Sequence, residues 1–415
     1  MSADETRVEA DLEVIEAGCI TDVPGIAAAG VSAGLKKTGA LDFALVVSES
    51  PCSCAAVFTT NRFQAAPVLY DRDAIAADPT GIRALAINSG CANACTGPEG
   101  LEDAREMARL SGEAAGVSAK RVLVMSTGVI GQRLPMDRIA RGVKLAALAL
   151  SPCGGHDAAR AIMTTDTRPK EVAVRATVGG RTVTVAGMAK GAGMISPNMA
   201  TLLAAIFTDA TATPAALEAI IRRAVERSFN CITVDGDMST NDTLLLLANG
   251  QAGNAVIGGS GDDGHAALLA AVSYVAEDLA KKVAFDGEGA TKRVTIDITG
   301  ARSREEARQA GMAVAKSPLV KTAIFGRDAN WGRVLCAVGY SGVPVVPGQV
   351  DMWLGDLHLV HLGRPHDINE ERASEILAVE DIALRVDMGM GDESATIWTC
   401  DLSHEYVSIN GSYRT

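Results

Sequence analysis

The chain has 415 residues, 48% of them hydrophobic and 21% charged, with a formal net charge of −12. That length allows two or three domains of ordinary globular composition. The acidic balance argues against a large nucleic-acid-binding face, which needs clustered Lys and Arg. No stretch of about 18 residues stays apolar, so no membrane span is expected, and Met1-Ser-Ala-Asp-Glu-Thr lacks the pattern of a signal peptide. The nine cysteines are scattered and odd in number, which suits reduced thiols and a cytoplasmic location.

Short β-branched runs alternate with longer amphipathic stretches. In chain order, strands are expected at Phe43–Val47 and Ala84–Asn88, a helix at Glu102–Ala115, a strand at Val122–Met125 and a helix at Pro135–Ala149. Val172–Val178 and Arg181–Ala186 flank Gly179-Gly180 and read as a β-hairpin with a two-residue turn. The apolar run after Thr201 is short and bounded by Pro197 and Asp209, which favours a buried strand. A helix at Pro214–Ser228, a strand at Thr243–Leu247, a surface loop over the glycine-dense Gly250–Gly264 and a helix at Gly264–Lys281 follow. Beyond these come a strand at Val294–Ile298, a helix at Arg304–Ala315, strands at Thr322–Phe325 and Ala383–Val386, and a hairpin around Met388–Asp392. Helices alternating with strands, together with hairpins, predict a mixed α/β fold of α+β layers.

The run Lys190-Gly-Ala-Gly-Met-Ile-Ser-Pro-Asn-Met-Ala-Thr201 is a glycine-punctuated approach to the Ala200-Thr201 bond. A Thr hydroxyl is a weak nucleophile without an adjoining base, and an α-amine freed by cleavage, with a pKa of roughly 8, would be one. Gly191 and Gly193 relax the backbone, and Ala200 gives its carbonyl little steric cover. On these residues alone the run is equally a loop leading into a buried strand. Ser126–Gly131 on its own reads as a tight turn, and Lys190 and Glu288 as surface charges.

The same run resembles the signature of the ornithine acetyltransferase (glutamate N-acetyltransferase) family of arginine biosynthesis. Further family-like segments lie in order along nearly the whole chain: Thr60-Asn61-Arg62, Asn88–Ala94, Ser126–Gly131, Met163–Thr167, Thr233–Asp242, Asp286–Ala290, Phe325–Arg333 and Asn410–Thr415. The resemblance implies an N-terminal-nucleophile-like sandwich of sheets flanked by helices, which cleaves itself at Ala200-Thr201 into chains 1–200 and 201–415. Thr201 would then take the acetyl group of N2-acetylornithine, release ornithine and pass the acetyl group to glutamate. It further implies Thr127 and Gly128 as oxyanion donors, and Thr164, Lys190, Thr201, Glu288, Asn410 and Thr415 as substrate-binding positions. An α₂β₂ heterotetramer of self-cleaved chains is the implied assembly. No motif decides whether acetyl-coenzyme A is also a donor, and ornithine-dependent transfer alone is the reading adopted.

Ala192 and Leu202 depart from the Ser and Met usual in that family, without touching the reacting atoms. Cys52/Cys54 with Cys91/Cys95 lack zinc spacing and a nearby His. His358, His361 and His366 fall in a strand-and-turn region where that spacing does not converge on one face. Gly187–Gly193 lacks the spacing of a nucleotide loop. Neither metal nor cofactor is therefore expected. The rival readings are an autoprocessed Thr amidase or aminopeptidase, and an amino-acid-binding protein that never cleaves.

Overall fold

The computed structural model describes residues 12–196 and 202–412, so Ala200, Thr201 and Thr415 lie outside the described residues. Nine strands form the first sheet: β1 (Glu13–Val14), β2 (Ile26–Val31), β3 (Phe43–Phe58), β4 (Ile82–Cys91), β5 (Val122–Val129), β6 (Lys170–Val178), β7 (Arg181–Lys190), β8 (Leu203–Thr208) and β9 (Thr243–Ala248). Their spatial order is β1-β6-β7-β8-β9-β3-β4-β5, with β2 also paired to β3. The long β3 is the joint of this sheet. Its first half pairs with β2 and β4, a register break follows Val47, and Ser53–Phe58 then pairs with β9. A second sheet holds β10 (Arg293–Ala301), β11 (Asp351–Leu354), β12 (Leu357–His361), β13 (Arg364–Pro365), β14 (Asp381–Asp387) and β15 (Glu393–Cys400), in the order β13-β12-β11-β14-β10-β15.

Eleven α-helices are found among the described residues: α1 (Ala66–Ala77), α2 (Gly97–Ala115), α3 (Met136–Ala149), α4 (Gly155–Ala161), α5 (Pro214–Glu226), α6 (His265–Phe285), α7 (Arg304–Lys316), α8 (Pro318–Phe325), α9 (Trp331–Gly339), α10 (Glu370–Ala378) and α11 (His404–Ser412). The mixed α/β layering expected from the sequence is the architecture observed. In α6 the buried residues Leu268, Val272, Val275, Leu279 and Val283 recur every three or four positions, the spacing that keeps one helix face apolar. This face packs on β6 and β7, and α6 also touches β10 and β15. One apolar core therefore joins the two sheets. The hairpin about Gly179-Gly180 is present, with both glycines at positive φ (55° and 73°), as a turn matched to strand twist requires. The apolar run after Thr201 is β8, buried throughout between β7 and β9.

Two expectations are corrected here. Thr322–Phe325 is the end of helix α8 and not a strand: Pro318 opens the helix, the Ser317 hydroxyl accepts from the Val320 N–H, and Val320, Ala323 and Ile324 bury one face. Capping and tertiary burial outweigh the local β-branched signal. The turn around Met388–Asp392 does not close a hairpin, because β14 and β15 pair with opposite sides of β10. The chain crosses the end of β10 there, held by Met388 N–H to Thr299 O at 2.9 Å and Met390 N–H to Gly300 O at 2.7 Å. Helix α2 also starts earlier than expected, at Gly97-Pro98, and Gly250–Gly264 is a loop anchored by the buried Ile257 beside Ala212.

Candidate active site

Strand β7 ends at Lys190 directly opposite Leu203, where β8 begins, and Leu203 in turn stands beside Thr243, where β9 begins. The chain therefore leaves the sheet at the end of β7 and re-enters it at the start of β8, at one end of these neighbouring strands. At these strand ends lies a cavity of about 250 Å³ lined by Thr127, Gly128, Thr164, Lys190, Gly193–Ile195, Leu202, Leu203, Asp235, Asn241, Asp242, Glu288, Tyr406 and Asn410, among others. Six of the residues singled out from the sequence thus share one cavity: Thr127, Gly128, Thr164, Lys190, Glu288 and Asn410.

Thr127 and Gly128 sit near the end of β5, whose parallel pairing with β4 is irregular at Gly90/Cys91. Gly128 has φ +130°, and a Cβ there would lie 2.3 Å from the Gly90 carbonyl carbon. Only glycine fits that approach. The Lys190 ammonium donates to the Thr127 hydroxyl at 3.3 Å. Lys190 is 8% exposed and Glu288 9%, so neither is a solvated surface charge. Burial lowers the pKa of Lys190, an effect that Asp166 opposes and Lys170 reinforces.

The glycine run is held in place from beneath. Asp166 accepts from Gly191 N–H at 2.7 Å and from the Lys170 ammonium at 2.6 Å, and Lys170 also reaches Asp286 at 2.6 Å. Burial alone would raise the Asp166 pKa, but the charges of Lys170 and Lys190 overcome it and hold the carboxyl well below the usual range. Asp235 accepts from Met194 N–H at 2.6 Å, Ile195 N–H at 2.9 Å and the Tyr406 hydroxyl at 3.2 Å. Gly193 abuts Glu288 so closely that a Cβ would fall 2.4 Å from Glu288 Oε2. The glycine therefore serves close packing against a carboxylate as well as backbone freedom. Glu288 is fixed by its own N–H to Ala192 O at 2.8 Å and by Asn410 Nδ2, which donates to Oε2 at 2.7 Å. The C-terminal segment forms α11 and delivers Tyr406 and Asn410 to the cavity.

Sequence reasoning did not single out Asp166, Lys170, Asp235, Asn241, Asp242 or Tyr406. Asn241 donates to Ala92 O at 2.6 Å and Ser126 O at 2.8 Å, which ties the approach to β9 to the ends of β4 and β5. Asp242 is buried, its Oδ2 has no hydrogen-bond partner among the described residues, and burial holds its carboxyl well above the usual range despite Ser239, Lys190 and Thr59 nearby. Asp242 thus lines the same cavity as Lys190. For Asp235, Asn241 and Asp242 the available signal was the density of Asp, Asn, Ser and Thr across Thr233–Asp242, just before the apolar run Leu244–Ala248.

Residues 27–415 match the ArgJ family. The arginine biosynthesis bifunctional protein ArgJ of Symbiobacterium thermophilum is 52% identical over 402 residues, spanning 96% of this chain and 99% of that protein. The chain belongs to the ArgJ family. A second relative, the arginine biosynthesis bifunctional protein ArgJ of Geobacter sulfurreducens, is 49% identical over 395 residues, spanning 95% of this chain and 100% of that protein. Among solved structures, the ornithine acetyltransferase of Mycobacterium tuberculosis in complex with ornithine is 44% identical, covering 46% of this chain and all of that one, with a TM-score of 0.42.

In this ArgJ-family chain the cavity presents one cation, Lys190, and the carboxylic side chains Asp235, Asp237 and Glu288 besides the buried Asp242, among its described lining residues. Such a balance suits a zwitterionic ligand with an additional ammonium group. No helix among the described residues is long and apolar enough to cross a membrane.

Proposed function

We propose that the chain is a self-cleaving acetyltransferase of arginine biosynthesis that carries acetyl groups on Thr201 from N2-acetylornithine to glutamate. An arginine-biosynthesis acetyltransferase follows from membership of the ArgJ family. The observation that supports the finer reading is the convergence of Thr127, Gly128, Lys190, Glu288 and Asn410 on the cavity lined by Leu202, the residue that follows the proposed nucleophile.

In self-cleavage the Thr201 hydroxyl attacks the Ala200 carbonyl carbon. The C–N bond breaks as the C–O ester forms, and water then hydrolyses that ester, leaving a carboxylate on Ala200 and a free amine on Thr201. In transfer, this amine takes the hydroxyl proton as Thr201 attacks the acetyl carbon of N2-acetylornithine. The negative charge on the tetrahedral oxygen is met by the Thr127 hydroxyl and the Gly128 N–H. The proton passes to the departing α-nitrogen, ornithine leaves, and acetyl-Thr201 remains. Glutamate reverses these steps with its own α-amine, so one amide is exchanged for another and no water is consumed. Lys190 holds the substrate α-carboxylate, and Glu288, positioned by Asn410, receives the ornithine δ-ammonium. Thr164 and the terminal Thr415 complete the binding set, and two cleaved chain pairs form the α₂β₂ enzyme.

Both relatives are named bifunctional, which favours acetyl-coenzyme A as a second donor over the ornithine-only reading. The amidase or aminopeptidase reading is weaker because its acceptor, water, needs neither Lys190 nor Glu288. Purified enzyme incubated with N2-acetylornithine and glutamate should produce N-acetylglutamate and ornithine in equal amounts. Acetate accumulating in place of N-acetylglutamate would establish the hydrolytic reading. Acetyl-coenzyme A with glutamate should yield N-acetylglutamate and free thiol; its failure would restrict the enzyme to recycling.

A further inference from the structure

His358, His361 and His366 were expected to point apart, and the structure brings them together. On a regular strand, residues three apart face opposite sides. Here the β11–β12 pairing shifts register: Trp353 pairs with His358 whereas Met352 pairs with Val360, so β12 carries one extra residue. This bulge returns His358 and His361 to one side of the ribbon, where both rings meet Asp351 at the start of β11. His358 Nε2 lies 3.3 Å and His361 Nδ1 2.9 Å from Asp351 Oδ1. The chain then turns back through β13, and the His366 ring comes to 4.9 Å from that of His358 and 5.5 Å from that of His361.

We propose that Asp351, His358 and His361 form a binding site for a borderline divalent cation of the zinc class, with His366 placed to supply a fourth ligand. The donor atoms of the first three all lie within 4.8 Å of one another. A tetrahedral ion with bonds of about 2.0–2.1 Å needs neighbouring donors roughly 3.3 Å apart, the separation already present between His358 and Asp351. Imidazole and carboxylate donors suit Zn²⁺, Co²⁺ and Ni²⁺. The supporting contacts also resemble those around metal ligands. Leu362 N–H donates to the same Asp351 oxygen at 2.9 Å, and His358 is stacked on Trp353 at 4.4 Å, which itself carries Arg385 at 3.9 Å. No described lining residue of the catalytic cavity comes from this ribbon, so the ion would clamp β11, β12 and β13 without entering the acetyl-transfer chemistry.

The test uses tag-free, metal-stripped full-length protein titrated with Co²⁺ and then Zn²⁺. One equivalent of Co²⁺ should give visible d–d absorption without thiolate charge transfer, Zn²⁺ should displace it, and Zn²⁺ should raise the melting temperature. His358→Gln/His361→Gln should abolish the signal and leave acetyl transfer unchanged, whereas His366→Gln should weaken binding without abolishing it. In zinc-soaked wild-type crystals, which do not depend on a variant folding, an anomalous peak should lie between Asp351 and the two imidazoles. Binding equal in wild type and double variant, a thiolate charge-transfer band, or an anomalous peak at Cys19, His156 and Glu171, the other cluster with suitable donors, would overturn the proposal.

Discussion

Thr127 offers a hydroxyl at the rim of the cavity, and Gly128 lets the backbone beside it come within van der Waals limits of β4. Thr127→Ala should reduce transfer by about 10²–10³-fold, the usual loss for one oxyanion donor, with KM for N2-acetylornithine little changed. A wild-type rate would remove Thr127 from the chemistry. Gly193→Ala forces a methyl against the Glu288 carboxylate. Displacement of that group should slow transfer by up to about 10²-fold, seen in steady-state rates with the fold intact by circular dichroism. Lys190 has its pKa lowered by burial, so its charge is present at low pH and is lost as pH rises through a value below the ordinary lysine range. KM for glutamate should therefore climb on the alkaline side, and Lys190→Met should give a high KM with no such rise. The charge types at Lys190 and Glu288 were readable from the chain as chemistry suited to an amino acid. Their burial was not readable, because the groups that face them are distant along the chain: Thr127 and Asp166 for Lys190, and Gly193 and Asn410 for Glu288.

Helix α11 has no buried residue among those described, yet it delivers Asn410 to Glu288 and Tyr406 to Asp235. Removing residues 404–415 should abolish activity with little change in melting temperature, because few apolar contacts are lost. A large fall in melting temperature would make the helix structural instead. The opposite balance holds beneath the glycine run, where Lys170 and Asp166 have side chains 1% and 0% exposed. Lys170→Met removes the buried ammonium that Asp166 and Asp286 share and should cost about 3–5 kcal/mol in urea unfolding. Asp166 has a depressed folded pKa. Its stabilising contribution is thus present above the unfolded-state value and is lost as pH falls toward the folded one, so acid should narrow the gap between the two proteins. At this scale the sequence was a good guide where local chemistry decides, as at Gly179-Gly180, and a poor one where distant pairing decides. The insertion of β10 between β14 and β15 turned an expected hairpin into a crossover, and the bulge in β12 gathered histidines whose spacing argued for separation.

Strands β1 to β7 precede the Ala200-Thr201 bond and β8 and β9 follow it, yet all nine belong to one sheet. Residues 202–412 also supply the second sheet and the α6 face that packs on β6 and β7. Cutting at the junction would therefore leave two chains interleaved through the β7–β8 and β9–β3 pairings. The cleaved products should co-purify through native chromatography and separate only in denaturant. The mixed α/β layering was legible from the alternation of strand and helix signals, and the family from ordered motifs. How the two halves share a sheet was not, because β-pairing between distant segments leaves no periodic trace in either.

Self-cleavage should make Thr201 a free N-terminal residue that carries the acetyl group. Intact-mass spectrometry of the denatured enzyme tests it directly, before and after brief incubation with N2-acetylornithine and an acid quench. Two chains are expected, 1–200 and 201–415, with one acetyl group added to the second alone, removed again by glutamate, and an uncut, unlabelled chain for Thr201→Ala. An active wild-type enzyme that remains a single chain, or an acetyl group that persists in Thr201→Ala, would contradict it.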